Sequence, residues 1–217
     1  MRMLSAIFLL SGAALLAQQS APPSPDPLVE QRRLAALLRQ ATTAYEKDDF
    51  QGAIKLLGSA AGDSADNLSV LNLRAAAMTR LGQHEEAGKI FSEILQADPN
   101  YFPAAFNMAE VKFLSGDREG ALEAFRQLRR RDPRNELLRF KIYLCLVSLG
   151  RQDEAAVTLG AMSPAGLTPS WYYAQAVAAR REGNEAKARE YLHAARALHG
   201  EKGCALYDEA LELVGMR

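Results

Sequence analysis

Metal or nucleophilic chemistry in this 217-residue chain would have to begin with three histidines and two cysteines. His84 and Glu85 open like a zinc-protease helix, in which two histidines four residues apart hold the metal and the glutamate acts as base. Gly88 stands where the second histidine is required. His193 and His199 lie six apart, a spacing that does not bring them to one helical face. Glu190 and His193 share an i, i+3 relation, but a carboxylate-bridged metal site needs several such helices facing inward. A whole predicted helical unit separates Cys145 from Cys204, which puts their Cα atoms beyond the roughly 7 Å that a disulfide spans. Two unpaired thiols are expected, with Cys145 acting as a small apolar residue. No nucleophile, base and orienting carboxylate group together, so the sequence points to no enzyme activity, no cofactor and no metal.

Charge is the next source of chemistry. Twenty-six basic and 26 acidic residues balance to a formal net charge of zero, so no global field favours nucleic acid or an anionic surface. One local cluster stands out: Arg126, Arg129, Arg130, Arg131 and Arg134. These residues close a predicted helix, where cations complement the helix dipole; contact with anionic lipid or polysaccharide is the alternative reading.

The elements that would position any site follow one period. Leu71, Ala75, Gly82, Ala87, Phe91 and Pro99 are answered 34 residues later by Ala105, Ala109, Gly116, Ala121, Phe125 and Pro133. Apolar and small residues between Ser69 and Leu81 cover a helical face, and Gly82 ends it by permitting a left-handed turn. A second helix runs from Glu85 to about Ala97, until Asp98 and Pro99 stop it. Ala75 and Ala87 let two antiparallel helices approach closely, and Phe91 fills the space further along. One such hairpin cannot bury its apolar face alone, whereas a stack of them makes a continuous core.

This pattern resembles the tetratricopeptide repeat (TPR) family. Extended along the chain, it gives repeats at about 34–63, 68–100, 102–134, 136–163 and 169–200. Small residues recur at Ala41, Ala75, Ala109, Ala176 and Ala210, and alanines at 53, 87, 121, 155 and 188. The expected fold is all-α, a solenoid of about five antiparallel helix pairs over residues 31–217, closed by a capping helix at 204–214 that covers the last repeat. Tyr143 stands where the other repeats carry alanine, so the two helices of the fourth pair are expected to splay or rotate.

The resemblance implies a right-handed superhelix that binds a peptide or helix of another protein on its concave face. Carried over by position, the lining is Leu38, Thr42 and Tyr45, then Asn72, Ala76 and Thr79, then Phe106, Glu110 and Phe113. It continues with Phe140, Leu144 and Val147, then Tyr173, Val177 and Arg180. The middle of this set is apolar. Phe106, Phe113, Phe140, Leu144 and Tyr173 are expected to form an exposed aromatic patch or, alternatively, to pack between neighbouring first helices. Some members of the family hold a partner's C-terminal carboxylate. Asn72, Asn107 and Lys141 lie near suitable positions for this, but Ala76 and Leu137 leave the remaining places unfilled.

At the N-terminus, Arg2 followed by an uncharged apolar run from Leu4 to Leu16 reads as a secretory signal, with cleavage favoured after Ala17 over Ala21. As a helix the run is only about 20 Å long, short of a hydrocarbon core of about 30 Å. An uncleaved inner-membrane anchor is the alternative and would be the sole membrane contact. Residues 18–30, with prolines at 22, 23, 25 and 27, read as an extended linker. The expectation is a periplasmic or secreted monomeric scaffold that takes an envelope protein as partner and binds no nucleic acid. The rival reading is a homodimerising module.

Overall fold

In the computed structural model, residues 26–60, 65–163 and 167–213 are described. They form ten helices: α1 (Pro27–Glu46), α2 (Phe50–Gly58), α3 (Leu68–Arg80), α4 (His84–Ala97), α5 (Phe102–Leu114), α6 (Arg118–Arg131), α7 (Glu136–Ser148), α8 (Gln152–Gly160), α9 (Pro169–Arg181) and α10 (Glu185–Leu213). No strand occurs among the described residues. Each odd-numbered helix packs antiparallel on the next even-numbered one, and the five pairs stack in sequence as an α-solenoid.

The small residues explain the pairing. Ala75 and Ala87, Ala109 and Ala121, and Ala41 and Ala53 are all fully buried. A methyl group there lets the backbones of a pair close to contact distance, and Leu57, Phe91 and Phe125 fill the space one helical turn on. Within each pair the chain reverses through one residue of left-handed conformation. That residue is Gly82, Gly116, Gly150 or Gly183, and in the first repeat Asp48 at φ 59°. Aspartate is one of the few side chains that tolerate this region, so the first turn keeps the shape of the others without glycine. Replacing Ala121 by phenylalanine should overpack the α5–α6 contact and cost about 1–3 kcal/mol or more. Thermal unfolding followed by circular dichroism checks this, and an unchanged midpoint would contradict the observed helix register.

The structure revises or extends three expectations. Residues 27–30 are not linker but the first turn of α1. Asp26 caps that helix by accepting from the Leu28 N–H at 2.9 Å, and Pro27 occupies the first position, where its missing N–H costs nothing. The rest of the proline-rich stretch and the apolar leader lie outside the described residues.

Tyr143 is buried, and α7 packs on α8 less extensively than the helices of the other pairs pack on each other; an opening extends from the fourth repeat to its border with the fifth. There α8 barely touches α9, and a cleft of about 420 Å³ lined by Tyr143, Val147, Leu159 and Arg181 separates them. Tyr143, standing where other repeats carry alanine, lines this cleft.

The third concerns the capping helix, which is present. It is the terminal arm of α10, residues 201–213, set off from the first arm, 185–199, by a break at Gly200 (φ 69°, ψ 166°). It covers the fifth repeat, with Tyr207 against Tyr173 and Ser170. It runs across the concave face, and its Cys204, Tyr207, Ala210 and Leu211 join the largest hydrophobic core, which extends back to Ala109.

Candidate functional site: the concave groove

The first helix of each pair faces the concave side, as the positions of the lining residues require, but the groove they form is already occupied. Phe140 and Tyr173 are 0% exposed and Leu144 is 4% exposed. Tyr207 of the terminal arm covers them, with ring centroids 5.5 Å from Phe140 and 5.3 Å from Tyr173. Phe140 and Tyr173 also meet each other edge-on at 6.1 Å. The expected exposed aromatic patch is therefore corrected at these three positions. The rings pack between neighbouring first helices and beneath a helix from the same chain.

The remaining lining residues divide by depth. Phe106 is half-buried, edge-on to Phe125 at 5.6 Å and stacked on Phe102 at 6.4 Å. Glu110 and Lys141 form an ion pair across α5 and α7, with the ammonium over the Phe106 ring at 5.7 Å from its centroid. Phe113 and Leu144 flank this pair, and Ala210 of the arm closes over it, leaving a void of about 20 Å³. Val177 is fully buried, while Val147 and Ala76 are half-buried. Thr79 is buried, and its hydroxyl donates to the Ala75 carbonyl at 2.9 Å within its own helix, which removes it from the groove's donors. Thr42 is exposed and Leu38 half-buried at the N-terminal end of the groove. Asn107 donates to Asn72 at 3.1 Å. With Lys141 committed to Glu110, none of the three residues considered for a carboxylate clamp presents a free, convergent set of donors.

Polar contacts fix the arm along its edges. Arg80, at the end of α3, meets Glu209 at 2.7 Å and Glu212 at 3.5 Å, with Asp48 at 3.8 Å. Its guanidinium also lies 4.9 Å from the Phe50 ring centroid. The Tyr45 hydroxyl donates to the same Glu209 at 3.2 Å, joining the first repeat to the last helix. Tyr173 donates to Asp208 at 2.6 Å, and Arg196 reaches the same oxygen at 2.6 Å. The Tyr207 and Ser170 hydroxyls lie 3.0 Å apart in the buried interior. Arg180, assigned to the groove by position, pairs with Glu185 at 3.3 Å on the rim.

Burial has a measurable electrostatic consequence. It pushes the Cys145 thiol and the Tyr143 phenol up to about 12 each. Burial, followed by the carboxylates Glu209 and Asp208, raises Tyr45 and Tyr173 further, and burial also raises Tyr207 and Cys204. Each of these groups is neutral in the fold and ionises more readily when unfolded. Their contribution to stability is therefore complete below the unfolded values, about 8.5 for thiols and about 10 for phenols, and falls as pH rises towards the folded values. The urea midpoint should hold from pH 7 to 8 and drop steeply between about pH 9 and 12. A midpoint flat to pH 11 would mean that these side chains are hydrated in solution.

Other sequence candidates fall elsewhere. Arg126 pairs with Glu154 at 2.9 Å, Arg130 with Glu123 at 2.9 Å, and Arg131 donates to Asn100. Much of the arginine cluster is thus tied to α6 itself, to α8 and to the turn at Asn100. His193 is exposed, and His199 packs near Tyr172 at 6.3 Å. Both cysteines are unpaired and buried. Among the described residues no three His, Cys, Asp or Glu side chains converge as metal ligands, and no helix is long and apolar enough to cross a membrane. Sequence reasoning missed the arm residues Tyr207, Asp208 and Glu209, and the Arg80 that meets Glu209. An aromatic residue followed by acidic ones, just past a glycine, was the one available signal.

The class of protein that this architecture defines is a scaffold of stacked helix pairs with a helix-sized concave groove. The tetratricopeptide repeat family model matches residues 44–111 and 79–137, so that part of the chain carries tetratricopeptide repeats. The chain is similar to the small glutamine-rich tetratricopeptide repeat-containing protein 2 of Mycosarcoma maydis, with 28% identity over 117 residues. That match covers 54% of this chain and 32% of the relative, so it spans about a third of the relative's length. Among solved structures, the thermophilic TPR protein TTC0263 of Thermus thermophilus superposes with a TM-score of 0.64. Identity there is 19%, with 83% of this chain and 98% of that chain covered. MamA from Desulfovibrio magneticus RS-1 superposes with a TM-score of 0.56 at 16% identity, covering 76% of this chain and 94% of that one. Both likenesses concern the fold.

Proposed function

We propose that this chain is an exported, non-enzymatic scaffold that binds a helical segment of another cell-envelope protein in its concave groove and thereby supports the assembly or maintenance of an envelope complex. The observation that carries this reading is the shape and chemistry of the groove. It already accommodates one helix, with apolar anchors along the middle and a cation at the far edge. Proteins of this repeat class bind protein partners, and no grouping of reactive side chains in the described residues suggests chemistry. Export rests on the charged, apolar N-terminal leader.

The test is site-specific photocrosslinking in cells, with a photoreactive residue at Thr42 or Asn72 on the groove edge. A discrete adduct with a different protein, recovered in the envelope fraction, is the expected result. A cytoplasmic distribution, or no adduct from either position, would overturn the reading. An adduct between two copies of this chain would favour the self-association reading, which one observation supports: the arm leaves α10 through a single glycine, Gly200, a hinge of the kind that permits exchange of an element between copies.

A further inference from the structure

We infer that the terminal arm, residues 201–213, is an internal ligand of the groove, and that the external partner is an acidic amphipathic helix of the same chemistry that binds by displacing it. This rests on the reading of the groove as a partner site.

Three observations point to a displaceable ligand rather than a sixth structural repeat. First, the arm departs from α10 at Gly200, in a conformation that lies outside the helix and that most side chains avoid. Second, its anchors recur on one face in the manner of a groove-bound helix. Cys204, Tyr207 and Leu211 are buried at i, i+3 and i+7, while Ala205 and Leu206 point outward, Leu206 with 58% exposure. Third, its charges are complementary to the groove's edges: Glu209 and Glu212 meet Arg80, and Asp208 meets Arg196 and the Tyr173 hydroxyl. A guest helix must therefore carry an aromatic residue, an acidic residue directly after it or two positions on, and a small apolar residue three positions on.

The fit of the arm is incomplete at one point. Ala210 leaves a void of about 20 Å³ between Glu110, Phe113, Leu144 and Lys141. A guest with valine at that position fills it and should bind about fivefold tighter than one with alanine. An external helix can outcompete the tethered one by this margin together with its concentration.

The probe is a fluorescent peptide of sequence 201–213 carrying Cys204→Ala, titrated into the full chain and read by anisotropy. The chain bearing Tyr207→Ala and Glu209→Arg, whose own arm is weakened, should bind it at least about tenfold tighter than the unmodified chain. The Ala210→Val peptide should bind tighter than its parent.

A second measurement avoids any dependence on the folding of that variant. In the full chain carrying only Cys145→Ala, Cys204 is the sole thiol and lies on the buried face of the docked arm. Saturating peptide should speed its alkylation about tenfold without change in helix content. An unchanged alkylation rate, or equal peptide affinity for the two chains with native helix content, would overturn the inference. So would a weakened chain that instead forms arm-exchanged dimers by light scattering. Photocrosslinking to an envelope protein could still succeed in those cases, so the two readings fail separately.

Discussion

Phe140→Glu should destabilise the chain by more than about 4 kcal/mol, because it places a carboxylate where no water and no cation reaches. The ring is fully buried between Tyr173 and Tyr207. Lys141 is its chain neighbour, but that ammonium is already engaged by Glu110. At about 2–4 °C per kcal/mol for a chain of this size, the thermal midpoint should fall by roughly 10 °C or more. The same substitution on an exposed groove wall would leave the midpoint almost unmoved. The experiment therefore decides whether the middle of the groove is filled in solution: a fall of only a degree or two would mean the arm is undocked most of the time.

Arg80→Glu should cost about 2–3 kcal/mol, less than for a fully buried pair because its partners keep some contact with water. The guanidinium side chain is 16% exposed and serves Glu209, Glu212 and Asp48 together. Burial alone would lower its proton affinity, but the hydrogen bond and charge of Glu209 outweigh that and hold the group above its ordinary value. The substitution turns three attractions into repulsions. Its effect should be localised: amide exchange should accelerate in 201–213 and at the end of α1, and remain slow in α5 to α7. Adding Glu209→Arg to Arg80→Glu should recover about half or more of the loss if the pair is the relevant coupling. Uniformly faster exchange throughout would instead mark α3 itself as the casualty.

The fold was legible in the sequence because helix pairing needs small residues at fixed places. Ala41, Ala75 and Ala109, answered by Ala53, Ala87 and Ala121, state that contact directly, and the reversals at Gly82 and Gly116 mark where each pair turns. Asp48 was harder to read, since its left-handed conformation is hidden behind an ordinary charged residue. The groove was legible in its lining but not in its occupancy. Ala210 follows Ala176 by 34 residues, which suggests one more helix stacked in step. Spacing along a helix fixes which residues share a face. It does not fix where that face docks when the preceding residue is a glycine free to redirect the chain. Nothing local to Tyr207 or Glu209 names Phe140 or Arg80 as the other half of the contact.

The hydrogen bond between Tyr45 and Glu209 joins residues 164 positions apart. A linear array of repeats touches only its neighbours, so its ends can fray independently and its contacts are short-range. Together with the Arg80 contacts to Glu209 and Glu212, this crossing gives the array long-range contacts, which favour slower and more cooperative folding. During synthesis the arm emerges after every repeat it touches. Its full set of contacts, from Tyr45 to Tyr173, can form only once the repeats that supply them are in place.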